Sequence, residues 1–385
     1  MNSENKDRLF EDADAGFEGQ SQIETSAENA SVDETACSLE ENCAFDENEV
    51  AFEPMFDVKK EKKTFSILGF GFACFTFVSF LVSTVIATVV SEVAPDIYCS
   101  AWFMHSVTPI SMYLFGLPFL LIILSRLPAV TPEKKPFRFG AWILFLLVGF
   151  GLMYMGNQVS MIVMEFLYAI LGYNPMNSLD SVVTNSNIWA NLLFLVVVAP
   201  VGEELVFRKL IIDRTHKYGC LVSAMFSGIV FGLMHGNLYQ CFYAFALGLL
   251  LGYLYYSTGK LYLTMGIHAV INLISGVLAG MLSENLNAMS DAWLALDSMD
   301  LNVLLGFLAE FWVVLLIMGI FLLFQWGSIV CAIVLPISFR RRIILEKGEV
   351  QIPRGLGFST LFVSAGGIVM LVLYFVEIAL SLLPN

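Results

Sequence analysis

The strongest constraint on the fold of this chain is a succession of apolar stretches, each long enough or nearly so to cross a bilayer. From Thr64 onward nine can be delimited, at roughly 64–91, 102–125, 139–171, 187–212, 220–236, 238–257, 261–282, 302–337 and 358–383. About 20 apolar residues in helical form cover the ~30 Å hydrocarbon core. Water is absent there, so each backbone N–H and C=O needs an internal partner, and a helix supplies them within a single segment. The composition agrees: 57% hydrophobic residues, 14% charged and a mean hydropathy of +0.75 exclude a water-soluble globule. The third and eighth stretches exceed one crossing and imply tilt, a break or continuation along the surface.

Charge is distributed very unevenly. Residues 1–63 hold 18 Asp and Glu against six Lys and Arg, which is -12 of the chain's -14. Apolar residues there are too sparse to repay the entropy of ordering, so 1–63 reads as a disordered acidic tail, with room for a short partner-binding motif around Phe45 to Phe56. The transmembrane domain is 64–385. The start of the chain lacks the basic and apolar regions of a cleaved signal peptide, which assigns insertion to the first spanning helix. Beyond the tail, Lys and Arg fall at alternate connections: Arg126 to Arg138, Arg208 to Lys217, Lys260, and Arg340 to Arg354. The other connections carry Glu92, Asp96, Asp180, Glu284, Asp291, Asp297 and Asp300. Basic loops are retained in the cytoplasm, so the tail is expected inside and Asn385 outside, in the cell membrane. No basic stripe lies on a polar domain, which excludes nucleic acid as a partner. The seven cysteines are scattered without C-x-x-C spacing and read as small hydrophobes.

Ionisable side chains inside lipid cost ~2.5–3.5 kcal/mol or more each, so they face a protein interior or a polar cavity and mark a site. Here they cluster in spans four to seven, in APVGEELVFRKL, FGLMHGN and GIHAVIN, which contribute Glu203, Glu204, Arg208, His235, Asn237, His268 and Asn272. Positions four apart share a helix face. Glu204 therefore stacks on Arg208, and Glu203 points elsewhere without a local partner. Phe231 shares a face with His235, and His268 with Asn272. The expected fold is an all-α polytopic membrane protein, a bundle of about eight or nine helices with a polar intramembrane cavity. A carboxylate to take a proton from water, an imidazole beside it and donors for an oxyanion are the parts that amide hydrolysis requires. The plainer reading is that these groups tie helices together by hydrogen bonds. Glu165, Glu310, Glu377, His105 and His216 are read as structural or interfacial.

Three motifs in order resemble the CAAX protease and bacteriocin-processing family, which includes the type II CAAX prenyl endopeptidases. Glu203 to Arg208 fits E-E-x-x-x-R, Phe231 to His235 fits F-x-x-x-H, and His268 to Asn272 fits H-x-x-x-N. The resemblance covers about 187–282. It implies an intramembrane endopeptidase acting on a membrane-associated protein or peptide, with Glu203 and His235 activating water. His268 and Asn272 would stabilise the oxyanion, while Glu204, Arg208 and Phe231 support the site. No cofactor is required by this scheme. No H-E-x-x-H string of a zincin occurs, yet Glu203, His235 and His268 can also assemble a zinc site from three helices. A noncatalytic immunity, scaffold or transport protein with the same cavity is the competing reading. By residue counting from Lys217, Glu203 and His235 lie at different depths, so their meeting demands stagger or tilt.

Overall fold

The computed structural model describes residues 56–173, 187–296 and 300–384. The acidic segment up to Met55, with its expected disorder and motif around Phe45, lies outside the described residues, as do Asp180 and Asp297. What is described is helical, with a single isolated bridge between Gly219 and Lys347. Nine apolar helices correspond to the nine stretches: α1 (Val58–Val93), α2 (Ala101–Leu124), α3 (Phe139–Leu171), α4 (Ile188–Tyr218), α5 (Cys220–Leu233), α6 (Leu238–Thr258), α7 (Leu261–Ser283), α8 (Leu301–Ser338) and α9 (Ala365–Ser381). Among the described residues seven are long and apolar enough to span a membrane, and α5 and α9 are the shorter pair. The protein is a polytopic helical membrane protein. The long third and eighth stretches form unbroken helices of 33 and 38 residues.

The first helix starts earlier than the sequence suggests. Asp57 caps it, its carboxylate accepting from the Lys59 and Lys60 N–H groups at 3.0 Å each. Residues 58–63, expected in the tail, are therefore its opening turns. Glu61 explains the difference, because it is buried against α4, 2.7 Å from Lys217 Nζ and accepting from the Tyr218 hydroxyl.

The basic connections meet at one end of the bundle, as their alternation requires. Lys135 pairs with Glu346 at 2.7 Å. The Lys135 N–H donates to Thr258 C=O, Cys220 N–H to Glu346 C=O and Val350 N–H to Lys217 C=O. Toward the other end, α5 stops after 14 residues, a rise of ~21 Å that falls short of the ~30 Å core. Its terminal turn therefore sits at membrane depth, where irregular backbone is tolerated only inside protein or beside a cavity.

Small residues hold α5 against α6. A Cβ on Gly228 would lie 3.0 Å from Leu249 N, one on Gly248 3.0 Å from Gly228 Cα, and one on Gly252 3.1 Å from Ala224 Cα. Two G-x-x-x-G rows thus face each other and let the backbones touch, the usual source of tight helix contact in lipid. Around this hairpin the core is aromatic. Phe72 of α1 stacks on Phe207 of α4 at 5.8 Å, and Phe207 meets Phe231 of α5 at 5.1 Å.

Candidate active site

α4 departs from regular helix in two places, with π-wound turns over Leu192–Val198 and Glu204–Leu210. Pro200 separates them and gives the first a reason. The Ala199 N–H donates to the Phe194 carbonyl, five residues back. In that register the next acceptor, Leu195 C=O, faces Pro200, which has no N–H to give. The orphaned carbonyl takes the side chain of Asn272 from α7 instead, with Nδ2 2.9 Å away. The motif asparagine is thus tied to the helix that carries the motif glutamates.

The second wound stretch opens with the expected stack. Glu204 Oε1 lies 3.0 Å from Arg208 Nη2, and both side chains are fully buried. The guanidinium also lies 4.5 Å over the Phe231 ring and reaches Ser227 Oγ at 3.5 Å, while Ser227 donates to Phe207 C=O. Glu204 also holds a histidine, with its Oε1 3.0 Å from His268 Nδ1. An ionised carboxylate only accepts, so Nδ1 carries the hydrogen and Nε2 is turned toward Glu203, whose Oε2 is 3.6 Å away. That gap exceeds a direct hydrogen bond and has the span in which a bridging water is the first question. Glu203 itself keeps 20% exposure.

His235 stands just beyond the end of α5. Its Nδ1 is 2.8 Å from Phe231 C=O, and a carbonyl can only accept, so here too Nδ1 carries the hydrogen and Nε2 the lone pair. Gly236 follows at φ +65, a left-handed turn that a side chain would strain, and it redirects the chain into α6. Asn237 has a different role from the other polar residues of the cluster. It accepts from Gln240 N–H as the cap of α6 and donates to His235 C=O at 2.8 Å.

Glu203, Phe231, His235, His268 and Asn272 all line one cavity of about 480 Å³. The stagger required by residue counting is present, supplied by the short α5 and the wound α4. Glu204 and Arg208 are buried behind this wall. The cavity also takes Asn157 from α3 and Gln240 from α6, which sequence reasoning passed over. The dipeptide Asn157-Gln158 inside an apolar run was the available signal. Among the described residues no group of three or more His, Cys, Asp or Glu is arranged to hold a metal ion, so Glu203, His235 and His268 do not form one here.

The remaining polar residues divide. His105 is buried and stacks on Phe194, and His216 stacks on Tyr256 at 4.5 Å. Glu165 and Glu310 are exposed, so a structural role for Glu310 through pairing inside the bundle does not hold. Glu377 lines a second cavity.

Residues 185–274 match the family model described as Type II CAAX prenyl endopeptidase Rce1-like. The Rce1-like match contains all three motifs and covers α4, α5, α6 and α7 as far as Ile274. It agrees with the resemblance that the motifs carry. Neither a curated protein nor a solved structure matches the chain.

Proposed function

We propose that this protein is an intramembrane endopeptidase that hydrolyses a peptide bond of a membrane-associated protein or peptide. The observation that carries the reading is the shared cavity, in which a partly exposed carboxylate faces two imidazoles with fixed tautomers. Glu203 Oε and His235 Nε2 are both acceptors. A water donating to them presents its oxygen lone pair to a carbonyl carbon, and Glu203 takes the proton as attack proceeds. Asn272 spends one Nδ2 hydrogen on Leu195 and keeps the other for the oxyanion. His268 joins it when doubly protonated, with Nδ1–H on Glu204 and Nε2–H toward the developing charge. Arg208 keeps Glu204 ionised, and Glu204 in turn fixes the His268 ring, a supporting relation like that behind metal-bound or catalytic histidines.

The acidic segment 1–57 is the tail of this enzyme and 58–385 its membrane domain, with the proteolytic core at about 187–282. The end gathering the basic connections faces the cytoplasm of the cell membrane. Comparing new protein termini by mass spectrometry, in membranes holding equal amounts of wild type and Glu203→Gln, tests the proposal. Termini that vanish with Glu203→Gln support it and name a substrate. Identical profiles, with a wild-type phenotype that the variant retains, replace it with a scaffold or immunity role.

A further inference from the structure

His235 is a wall between two cavities. One is the catalytic cavity, and behind the histidine lies a second chamber of about 400 Å³, formed by α1, α2, α9 and the turn Met234 to Gly236. His235 alone lines both. The size falls in the ~300–1,000 Å³ range of small-ligand sites. Its lining combines apolar side chains, among them Phe75 and Met112, with a row of hydroxyls and one carboxylate.

The hydrogens of the three serine hydroxyls on this lining are already committed. Ser79 donates to Phe75 C=O at 2.6 Å, Ser83 to Phe80 C=O at 3.0 Å and Ser381 to Ile378 C=O at 2.8 Å. Thr76 points its hydroxyl at that of Tyr374, 3.5 Å away. What these groups offer the chamber is lone pairs. Glu377 adds a carboxylate with no hydrogen bond or ion pair to any described residue, and it stands beside the catalytic turn. A Cβ on Gly236 would be 3.6 Å from Glu377 Oε2. An intramembrane carboxylate of this kind marks a site by default. These acceptors grouped around a carboxyl favour a cationic donor, and a primary ammonium on a short apolar body satisfies both the polar and the apolar parts of the lining.

Peptide hydrolysis makes such a group. The scissile C–N bond breaks, water supplies the new C–O bond, and its two hydrogens end on the nitrogen, giving a carboxylate and an ammonium. We infer that the chamber receives the amine product, a short apolar peptide whose new α-ammonium pairs with Glu377. The inference rests on the peptidase reading above.

The probes are an apolar tripeptide, Val-Ile-Leu, with a free amino terminus and its N-acetylated counterpart, bound to the full-length protein in nanodiscs. A charge-assisted pair gives the free amine at least about a tenfold advantage in wild type. That advantage collapses in Glu377→Gln and persists in Glu203→Gln. Should Glu377→Gln not fold, labelling of wild-type Glu377 by dicyclohexylcarbodiimide decides the matter: the free amine protects the residue and the acetylated peptide does not. Equal binding of the two peptides to wild type, or a preference surviving Glu377→Gln, overturns the inference while leaving Glu203-dependent cleavage untouched. A Glu377-dependent preference without any Glu203-dependent termini overturns the product role together with the peptidase reading, and leaves only an amine site.

Discussion

Replacing Arg208 with methionine tests the division of labour between the two adjacent glutamates. Methionine keeps most of the volume and removes the charge, leaving Glu204 fully buried with the neutral groups His268 Nδ1 and Thr264 as its polar partners. Breaking one side of a buried pair costs ~3–5 kcal/mol. Losing the guanidinium over Phe231 adds ~1–2 kcal/mol, which the His268 contact offsets in part. A net loss of ~3–5 kcal/mol follows for Arg208→Met. Glu204→Gln combined with Arg208→Met removes both charges, so it costs less than the sum of the single changes by ~0.5–3 kcal/mol. Glu203→Gln, at a side chain 20% exposed and 3.6 Å from the His268 ring, changes stability by less than ~1 kcal/mol. The assay is reversible unfolding in mixed dodecyl maltoside and dodecyl sulfate micelles, followed by tryptophan fluorescence. An Arg208→Met cost below ~1 kcal/mol, or strict additivity in the double variant, refutes the account of a coupled buried pair.

Three further outcomes are expected. Gly228→Val drives a branched side chain into Leu249 backbone only 3.0 Å from the Cβ position, and costs ~1–3 kcal/mol or more in the same unfolding assay. Pro200→Ala returns an N–H donor to α4 that competes with Asn272 for Leu195 C=O, so turnover falls about two- to tenfold, matching one hydrogen bond of ~0.5–1.5 kcal/mol. Glu61→Gln weakens the join between α1 and α4 by ~1–3 kcal/mol, since Lys217 and Tyr218 lose the anion that holds them. Measured unfolding free energies check the first and third, and kcat at saturating substrate the second.

The bundle and its polar cluster were legible because hydrophobic length and four-residue spacing are local properties. Glu204 over Arg208, and Glu203 turned away from both, follow from helix geometry alone and are what the structure contains. The start of α1 was hidden because Glu61 looks solvated until Lys217, 156 positions away in sequence, comes beside it. Asn157 and Gln240 escaped notice for a related reason: each is polar in an apolar run, but only packing of α3 against α6 brings them to the same cavity. The position of Glu377 depended on where α9 docks. The proline in α4 advertised a lost hydrogen bond, yet which carbonyl lost its donor was set by the wound register, and register is not written in composition.

The glycine seam between α5 and α6 anchors the turn that carries His235 on two closely packed helices. A Cβ at Gly228 or Gly248 would come within 3.0 Å of the facing backbone, so the two helices that flank the His235 turn are packed directly on one another. α4 is built on the opposite plan. A π-wound turn holds one residue more than the regular turn beside it, and passing that surplus along the helix rotates each side chain it crosses by about 100°. Glu203 lies at the junction between two such surpluses. Of the two side chains that share the cavity wall, His235 follows a close-packed hairpin and Glu203 a helix whose register can shift.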